Sequence, residues 1–389
     1  MTQFHKTAST LIPGAKTLPG EYYTSAEIYQ RERERIFSSR WLCIGRGEQI
    51  PHPGNYLLVN IGTESIIIVR SNNGEVRSFY NVCRHRGTRL CQQSQGTFNK
   101  TISCPYHGWS YNLDGELNAA PLMNELDYFC KEDYPLHKVA IETWEGFLFL
   151  NLAPNPEPFA NAFAPLINKF TQWHLPKLRV AQRIEYNIQA NWKLILQNYS
   201  ECYHCPLVHP KLAQMSFYRS GENDLFSGAI LGGFMKLNDS ALSLTISGKR
   251  CGKPLGEVGG EDLKRVYYYS IFPNLLLSLH PDYVMFHTLW PQSPNQTRIV
   301  CEWLFEGDTI AQPGFDPADA VELWDLTNRQ DWEICELTQQ GVSSRAYTPG
   351  LYSSSESLLA AIDQEVLKAL GIGQRGRGPY DAGTGRRKE

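Results

Sequence analysis

The sequence predicts an α+β protein, in which an all-β domain precedes a domain that combines an antiparallel sheet with helices. Two observations carry this. Short runs rich in β-branched and aromatic residues, separated by turn signals, fill the stretch 42–152. Four more such runs lie close together within 266–305, a spacing that suits antiparallel pairing, and helical patterns flank them on both sides.

In chain order, 25–37 predicts an exposed helix with Ser25 as N-cap and an Arg/Glu-rich face, and 1–41 forms an N-terminal helical segment expected to pack on the second domain. Strands are expected at 56–61, 65–70 and 76–81, with Asn72-Asn73-Gly74 as a hairpin turn. Further strands at 101–103, 109–112 and 146–151 complete the all-β domain, 42–152. Asn155, Pro156 and Pro158 mark the boundary, and the second domain takes 153–373. It opens with a helix expected at 160–174. The stretch 191–210, NWKLILQNYSECYHCPLVHP, predicts a buried helix through Trp192, Leu194, Ile195 and Leu196. Residues 220–260, rich in glycine and turn formers, predict a mobile loop or lid. Strands follow at 266–272, 275–280, 283–290 and 297–305, then helices at 319–340 and 355–370. The Gly/Arg-rich tail 374–389 is expected to be disordered.

At 389 residues the chain is long enough for two cores, and 42% hydrophobic with 20% charged residues is ordinary globular composition. A net charge of -3 without a basic stripe argues against nucleic acid as a partner. No apolar run is long enough for a signal peptide or a membrane span, so a cytoplasmic location is expected. Ten cysteines in a chain of this length read as metal ligands or small core residues.

Two clusters have the composition of metal sites. Cys83-Arg84-His85 and Cys104-Pro105-Tyr106-His107 each bring one Cys and one His on a loop. Zinc fingers supply cysteines as one pair and histidines as another. Mixed pairs on hairpin loops suit a Rieske [2Fe–2S] centre, with two thiolates on one iron and two imidazoles on the other. The second cluster places Glu201, His204 and His209 at the end of the 191–210 stretch. On a straight helix the two histidines would stand about 140° apart, and Pro206, which lacks an amide, lets the last turn kink and swing His209 round. From this stretch alone, two satisfied core histidines explain the pattern equally well.

The motifs CRHRGTRLC, CPYHGWSY and NYSECYHCPLVHP resemble those of the Rieske non-haem iron oxygenases. The resemblance spans about 18–370 and implies a β-sandwich Rieske domain joined to a catalytic domain whose antiparallel sheet is wrapped by helices. It implies Cys83, His85, Cys104 and His107 as cluster ligands, and His204 and His209 as ligands of a mononuclear ferrous ion. Asp331 in NRQDWEICE is the implied third ligand, and on a helical wheel it also shares an apolar face with Trp324, Ile334 and Cys335, where a lone carboxylate is costly. Glu333 and Glu336 point elsewhere and read as solvated; the alternative for Asp331 is an ion pair with a residue such as Arg329. Cys202 and Cys205 read as small core residues.

The family's chemistry implies a partner reductase that supplies electrons from NAD(P)H, since no nucleotide fingerprint occurs here, and dioxygen as co-substrate. It implies a head-to-tail homotrimer in which Glu201 links His204 to His107 of a neighbouring subunit, a position where most relatives carry Asp. The form of the motif resembles members that oxidise quaternary ammonium compounds such as carnitine, glycine betaine or stachydrine. Tyr267, Tyr268, Tyr269, Phe272, Tyr283, Phe286 and Trp290, on the predicted sheet, are available to hold such a cation over their faces, and Tyr267, Tyr269, Tyr283 and Phe286 are the candidates for the pocket. A dioxygenase acting on an aromatic acid would use the same aromatics. A plain Rieske electron carrier leaves His204, His209 and Asp331 unexplained, and a zinc-stabilised binding module predicts a colourless protein.

Overall fold

The computed structural model describes residues 3–372, so the expected tail at 374–389 lies outside the described residues. Strand β1 (His5–Lys6) and the short helices α1 (Glu21–Thr24) and α2 (Ala26–Glu32) come first. The all-β domain follows as β2 (Leu42–Arg46), β3 (Asn55–Ile61), β4 (Glu64–Arg70), β5 (Val76–Tyr80), β6 (Gln95–Thr97), β7 (Thr101–Ser103), β8 (Ser110–Asn112), β9 (Leu117–Ala119), β10 (Ala140–Trp144) and β11 (Phe147–Asn151). Its sheets run β5-β4-β3-β6, β10-β11-β2 and β7-β8-β9, and every pairing is antiparallel. The Asn72–Gly74 turn joins β4 to β5 with Gly74 at φ +86°, a conformation that favours glycine.

The second domain contains α3 (Phe159–Ala162), β12 (Leu178–Ile188), α4 (Trp192–Tyr199), α5 (Cys205–Val208), α6 (Pro210–Ala213), β13 (Ser216–Leu225) and β14 (Ile230–Leu237). It continues through β15 (Arg265–Ile271), β16 (Leu275–Leu279), β17 (Val284–Ser293), β18 (Gln296–Glu306), α7 (Gly307–Ile310), α8 (Ala318–Val342) and α9 (Ser357–Ala369). One eight-stranded antiparallel sheet organises it, ordered β1-β13-β14-β15-β16-β17-β18-β12. Side chains alternate across this sheet. Val266, Leu276, Met285 and Cys301 face a core shared with Leu194, Trp324 and Cys335 of α4 and α8. Tyr267, Tyr269, Leu277 and Phe286 face an opposite core with Phe147, Phe170 and Trp173. The N-terminal segment is tied to this domain: β1 extends the sheet beside β13, and Lys193 of α4 pairs with Glu32 at 2.5 Å, both fully buried. Removing one member of such a pair costs about 3–5 kcal/mol, because the other charge is left buried.

Four expectations are corrected. The helix expected at 25–37 is α-helical only to Glu32 and widens into a π-turn over Arg33–Phe37, and it is not exposed throughout, since Glu32, Ile36 and Phe37 are buried. Ser25 does cap it, its Oγ accepting from the Ile28 amide at 3.2 Å. The helix expected at 160–174 survives only as α3 and isolated 3-10 turns, because Pro165 lacks a donor and Asn168 and His174 adopt left-handed φ. The loop expected at 220–260 begins later than read: 220–225 and 230–237 belong to β13 and β14, and the irregular stretch runs over 238–259. The glycines of β14 mark close strand packing: a Cβ on Gly232 would lie 2.1 Å from Tyr268 O, and one on Gly233 1.9 Å from Glu222 O. Finally, the buried helix expected through 191–210 is broken into α4, α5 and α6.

Candidate metal centres

Helix α4 starts at Asn191, whose Oδ1 accepts from the Lys193 amide at 3.0 Å, and its apolar side packs into the core of the large sheet. It ends at Ser200, whose hydroxyl turns back to Leu196 O at 2.7 Å. The break thus falls before Pro206, which opens α5 instead of kinking a continuous helix. Glu201 folds the intervening turn: its carboxylate accepts from the amides of Tyr203 and His204, and from His204 Nδ1 at 2.5 Å. Cys202 and Cys205 close the same turn as a disulfide with Cα atoms 4.9 Å apart, so these two residues, read as small core residues, are paired with each other, Cys205 buried and Cys202 half-buried.

This turn and α5 carry His204 and His209 to one point, where Asp331 of α8 meets them. His204 Nε2 lies 3.1 Å from His209 Nε2, and Asp331 Oδ1 lies 3.2 and 2.9 Å from the two nitrogens. Among the described residues, this is the group of metal-type donors that converges within 4.8 Å. Cis ligands about 2.1 Å from a divalent ion stand about 3.0 Å apart at 90° and about 3.4 Å apart at the tetrahedral angle. The observed spacing fits one face of an octahedron, which leaves the opposite positions open, as in a 2-His-1-carboxylate site.

The polar surroundings agree with a cation there. His204 Nδ1 faces Glu201, and His209 Nδ1 faces Gln330 Oε1 at 2.8 Å. Each acceptor fixes the ring proton on Nδ1 and turns the Nε2 lone pair inward. Burial disfavours a charged His204, yet its contacts with Asp331 and Glu201 outweigh this and push it up to about 10 in the metal-free chain. Burial raises Asp331, but contacts with His204 and His209 hold it below the ordinary carboxylate range. Arg329, the alternative partner for Asp331, pairs with Asp325 at 2.8 Å. The helical-wheel reading needs adjustment: Ile334 is exposed, and Glu336 accepts from the Gln189 amide, so it is not simply solvated.

In the all-β domain, two loops fold alike. Gly87 N–H bonds to Cys83 O and Gly108 N–H to Cys104 O, both glycines at left-handed φ, while each Cys amide bonds to the residue five positions on. Both thiols are buried, whereas His85 and His107 stand exposed with ring centroids 4.6 Å apart. A sunken thiol pair beneath a surface imidazole pair fits a two-iron cluster with its cysteine side inward. Trp109 stacks on His85 at 4.9 Å, and the buried Tyr111 hydroxyl lies 3.3 Å from Cys83 Sγ while accepting from the Arg84 amide at 2.9 Å.

A model of the ring-hydroxylating alpha-subunit catalytic domain matches residues 175–372, and a Rieske [2Fe-2S] domain model matches 40–135. The chain is 32% identical over 368 residues to the glycine betaine monooxygenase oxygenase subunit of Pseudomonas aeruginosa, covering 87% of this chain and 85% of that one. The chain belongs to the Rieske oxygenase alpha subunits. It is also 36% identical over 202 residues to the carnitine monooxygenase oxygenase subunit of Acinetobacter pittii, covering 51% of this chain and 54% of the relative. The quaternary ammonium Rieske monooxygenase CntA with L-carnitine superposes with a TM-score of 0.73 at 24% identity, over 92% of this chain and 95% of that one. Naphthalene 1,2-dioxygenase from Rhodococcus sp. gives 0.73 at 19%, over the same shares. At these identities the likeness is one of fold.

The family and the α+β fold read from the motifs thus hold for this Rieske oxygenase. It carries a Rieske [2Fe–2S] domain and a catalytic domain that implies mononuclear iron. The aromatic candidates divide. Tyr267, Tyr269 and Phe286 lie on the sheet face away from His204 and Asp331, packed edge-on or tilted against Trp173, Phe170 and Phe147. Tyr283 is on the metal side but is spent in the core, stacked on His280 and bonded to Leu244 O. Tyr268, another of the sheet aromatics the sequence offered, lies on the face covered by α4 and α8 among aromatics the sequence reading did not group with it. There His287 neighbours Trp332 and Tyr199, Tyr199 neighbours Tyr268, and Tyr268 neighbours Trp324. Strand alternation separates Tyr268 from Tyr267 and Tyr269, but only the placement of α4 and α8 decides which face meets the metal. Gln330 carried no signal of its own beyond sitting next to Asp331. Among the described residues, no helix is long and apolar enough to cross a membrane.

Proposed function

We propose that this chain is the terminal oxygenase of a two-component system that oxidises a small quaternary ammonium compound at a carbon bonded to nitrogen. The observation that carries the reading is the three-donor face formed by His204, His209 and Asp331. Bound there, ferrous iron would supply dioxygen activation, and the [2Fe–2S] cluster held by Cys83, His85, Cys104 and His107 would supply electrons one at a time. The balance is one substrate, O2, two electrons and two protons giving hydroxylated substrate and water. Hydroxylation on an N-methyl carbon then collapses to the tertiary amine, formaldehyde and a proton.

The chain's own residues have separable tasks. His204, His209 and Asp331 would hold the ion from one side. Tyr199 and Tyr268, half-buried neighbours on the sheet face covered by α4 and α8, are the aromatics we assign to the cationic head of the substrate. His287 has Nε2 committed to Asn328 Oδ1 at 3.2 Å, and burial lowers it to about 4, so it stays neutral and adds no charge repelling a cation. Glu201 orients His204 and, in a head-to-tail homotrimer, reaches His107 of a neighbouring subunit; the exposure of His107 and the contact of Glu201 with His204 support this. A reductase fed by NAD(P)H is the partner, and the cytoplasm is the compartment. The quaternary ammonium class is supported by the similarity to glycine betaine and carnitine oxygenase subunits.

A single-turnover assay tests it without the reductase. Chemically reduced, iron-loaded protein is exposed to O2 with glycine betaine, carnitine, choline, stachydrine or an aromatic acid. Formaldehyde or a released amine from a quaternary compound supports the reading. A diol or hydroxylated arene, with no C–N cleavage, overturns the substrate class.

A further inference from the structure

We propose that Gln330 is the residue that positions His209, an inference that rests on the metal-centre reading above. His209 is almost fully buried, and its Nε2 takes part in the three-donor face. For that nitrogen to offer a lone pair, the ring proton must sit on Nδ1 and find an acceptor. Gln330 Oε1, at 2.8 Å, is that acceptor. Consecutive helical residues point about 100° apart. Asp331 therefore reaches the donor face directly, while Gln330 passes behind the His209 ring. One step along α8 thus supplies both a ligand and the orientation of another ligand.

The two histidines are held differently. His204 is backed by the carboxylate of Glu201, His209 by a neutral amide. Acceptors behind a ligating imidazole fix its tautomer and ring plane, and their loss weakens metal binding by roughly 10–100-fold. Glutamate at 330 would keep the acceptor and add a negative charge. Leucine would keep most of the volume and remove the acceptor.

The test is anaerobic titration of protein stripped of its mononuclear metal but retaining its Rieske cluster, using ferrous iron or cobalt(II). Wild type is compared with Gln330→Leu, Gln330→Glu and His209→Ala, and an unchanged Rieske spectrum serves as the folding control. The expected result is a dissociation constant raised roughly 10–100-fold in Gln330→Leu, restored in Gln330→Glu, with cobalt spectra perturbed only in the former. Wild-type affinity in Gln330→Leu alongside lost binding in His209→Ala overturns the role of Gln330. Wild-type affinity in His209→Ala overturns the metal-centre reading itself. If the leucine variant does not fold, Gln330→Ala carries the same comparison.

Discussion

Replacing Tyr111 with Phe should lower the reduction potential of the Rieske centre. The Tyr111 ring is fully buried and its oxygen already accepts from the Arg84 amide, so its O–H is free to donate to Cys83 Sγ, 3.3 Å away. Burial raises its pKa, which keeps it a donor. A hydrogen bond to a charged acceptor contributes about 1.5–3 kcal/mol. The reduced cluster holds one more electron, so the bond stabilises it more than the oxidised form. Taking about half of that energy as the discriminating part gives roughly 0.75–1.5 kcal/mol, or a drop of roughly 30–65 mV at about 59 mV per tenfold for one electron. Phenylalanine preserves the packing, so cluster content should not change. A potentiometric titration followed by visible circular dichroism or by EPR of the reduced cluster reads the shift. An unchanged or raised potential with the cluster intact would refute the assignment of Tyr111 as a donor to sulfur.

Four further outcomes are expected. Asp331→Ala should lose mononuclear iron while keeping the Rieske spectrum, and full iron occupancy in metal analysis would count against its role as ligand. Glu201→Gln should leave both metal sites loaded but slow electron transfer between them, measured by rapid mixing of reduced protein with substrate and O2; an unchanged rate removes the bridging role. Burial raises Asp363 to about 7 against hydrogen bonds from Tyr352 and Gln197 that favour its charge. The folded state then binds the extra proton between about pH 4 and 7, so stability falls as pH rises through that window, by at most about 4 kcal/mol. In denaturant titrations Asp363→Asn should therefore gain on wild type from pH 4.5 to 7.5, and parallel profiles would contradict the shift. Tyr268→Ala should raise KM for the quaternary substrate roughly 5–30-fold, on the order of 1–2 kcal/mol for one desolvated cation–π contact, whereas Tyr269→Phe should leave KM unchanged; the reverse pattern would put substrate on the other face.

Much of the metal chemistry was legible in the sequence because it is local. The Cys-x-His and Cys-x-x-His loops need only a tight turn, and glycines at 87 and 108 supply it. Hairpins of β15 to β18 also follow from short-range pattern, since alternation and turn residues set them within a few positions. The misread stretches are those where apolar and turn-former patterns are overridden, by a distant strand in one case and by a side chain competing for backbone amides in another. Gly232 and Gly233 look like a flexible loop until a neighbouring strand is seen pressed against them. The 191–210 stretch looks like one helix because its apolar residues recur at helical spacing, yet Glu201 captures the amides after Ser200 and ends it.

By itself the sequence determined the two-domain α+β order, the family, and the donor types for two iron centres, because each is written in neighbouring residues. Only the tertiary structure decided that Asp331 of α8 meets His204 and His209, that Gln330 stands behind His209, and that Tyr268 instead of Tyr267 or Tyr269 lies on the sheet face covered by α4 and α8. Those relations join residues more than a hundred positions apart in two cases. They depend on which face of a sheet the helices cover, and strand periodicity is the same on both.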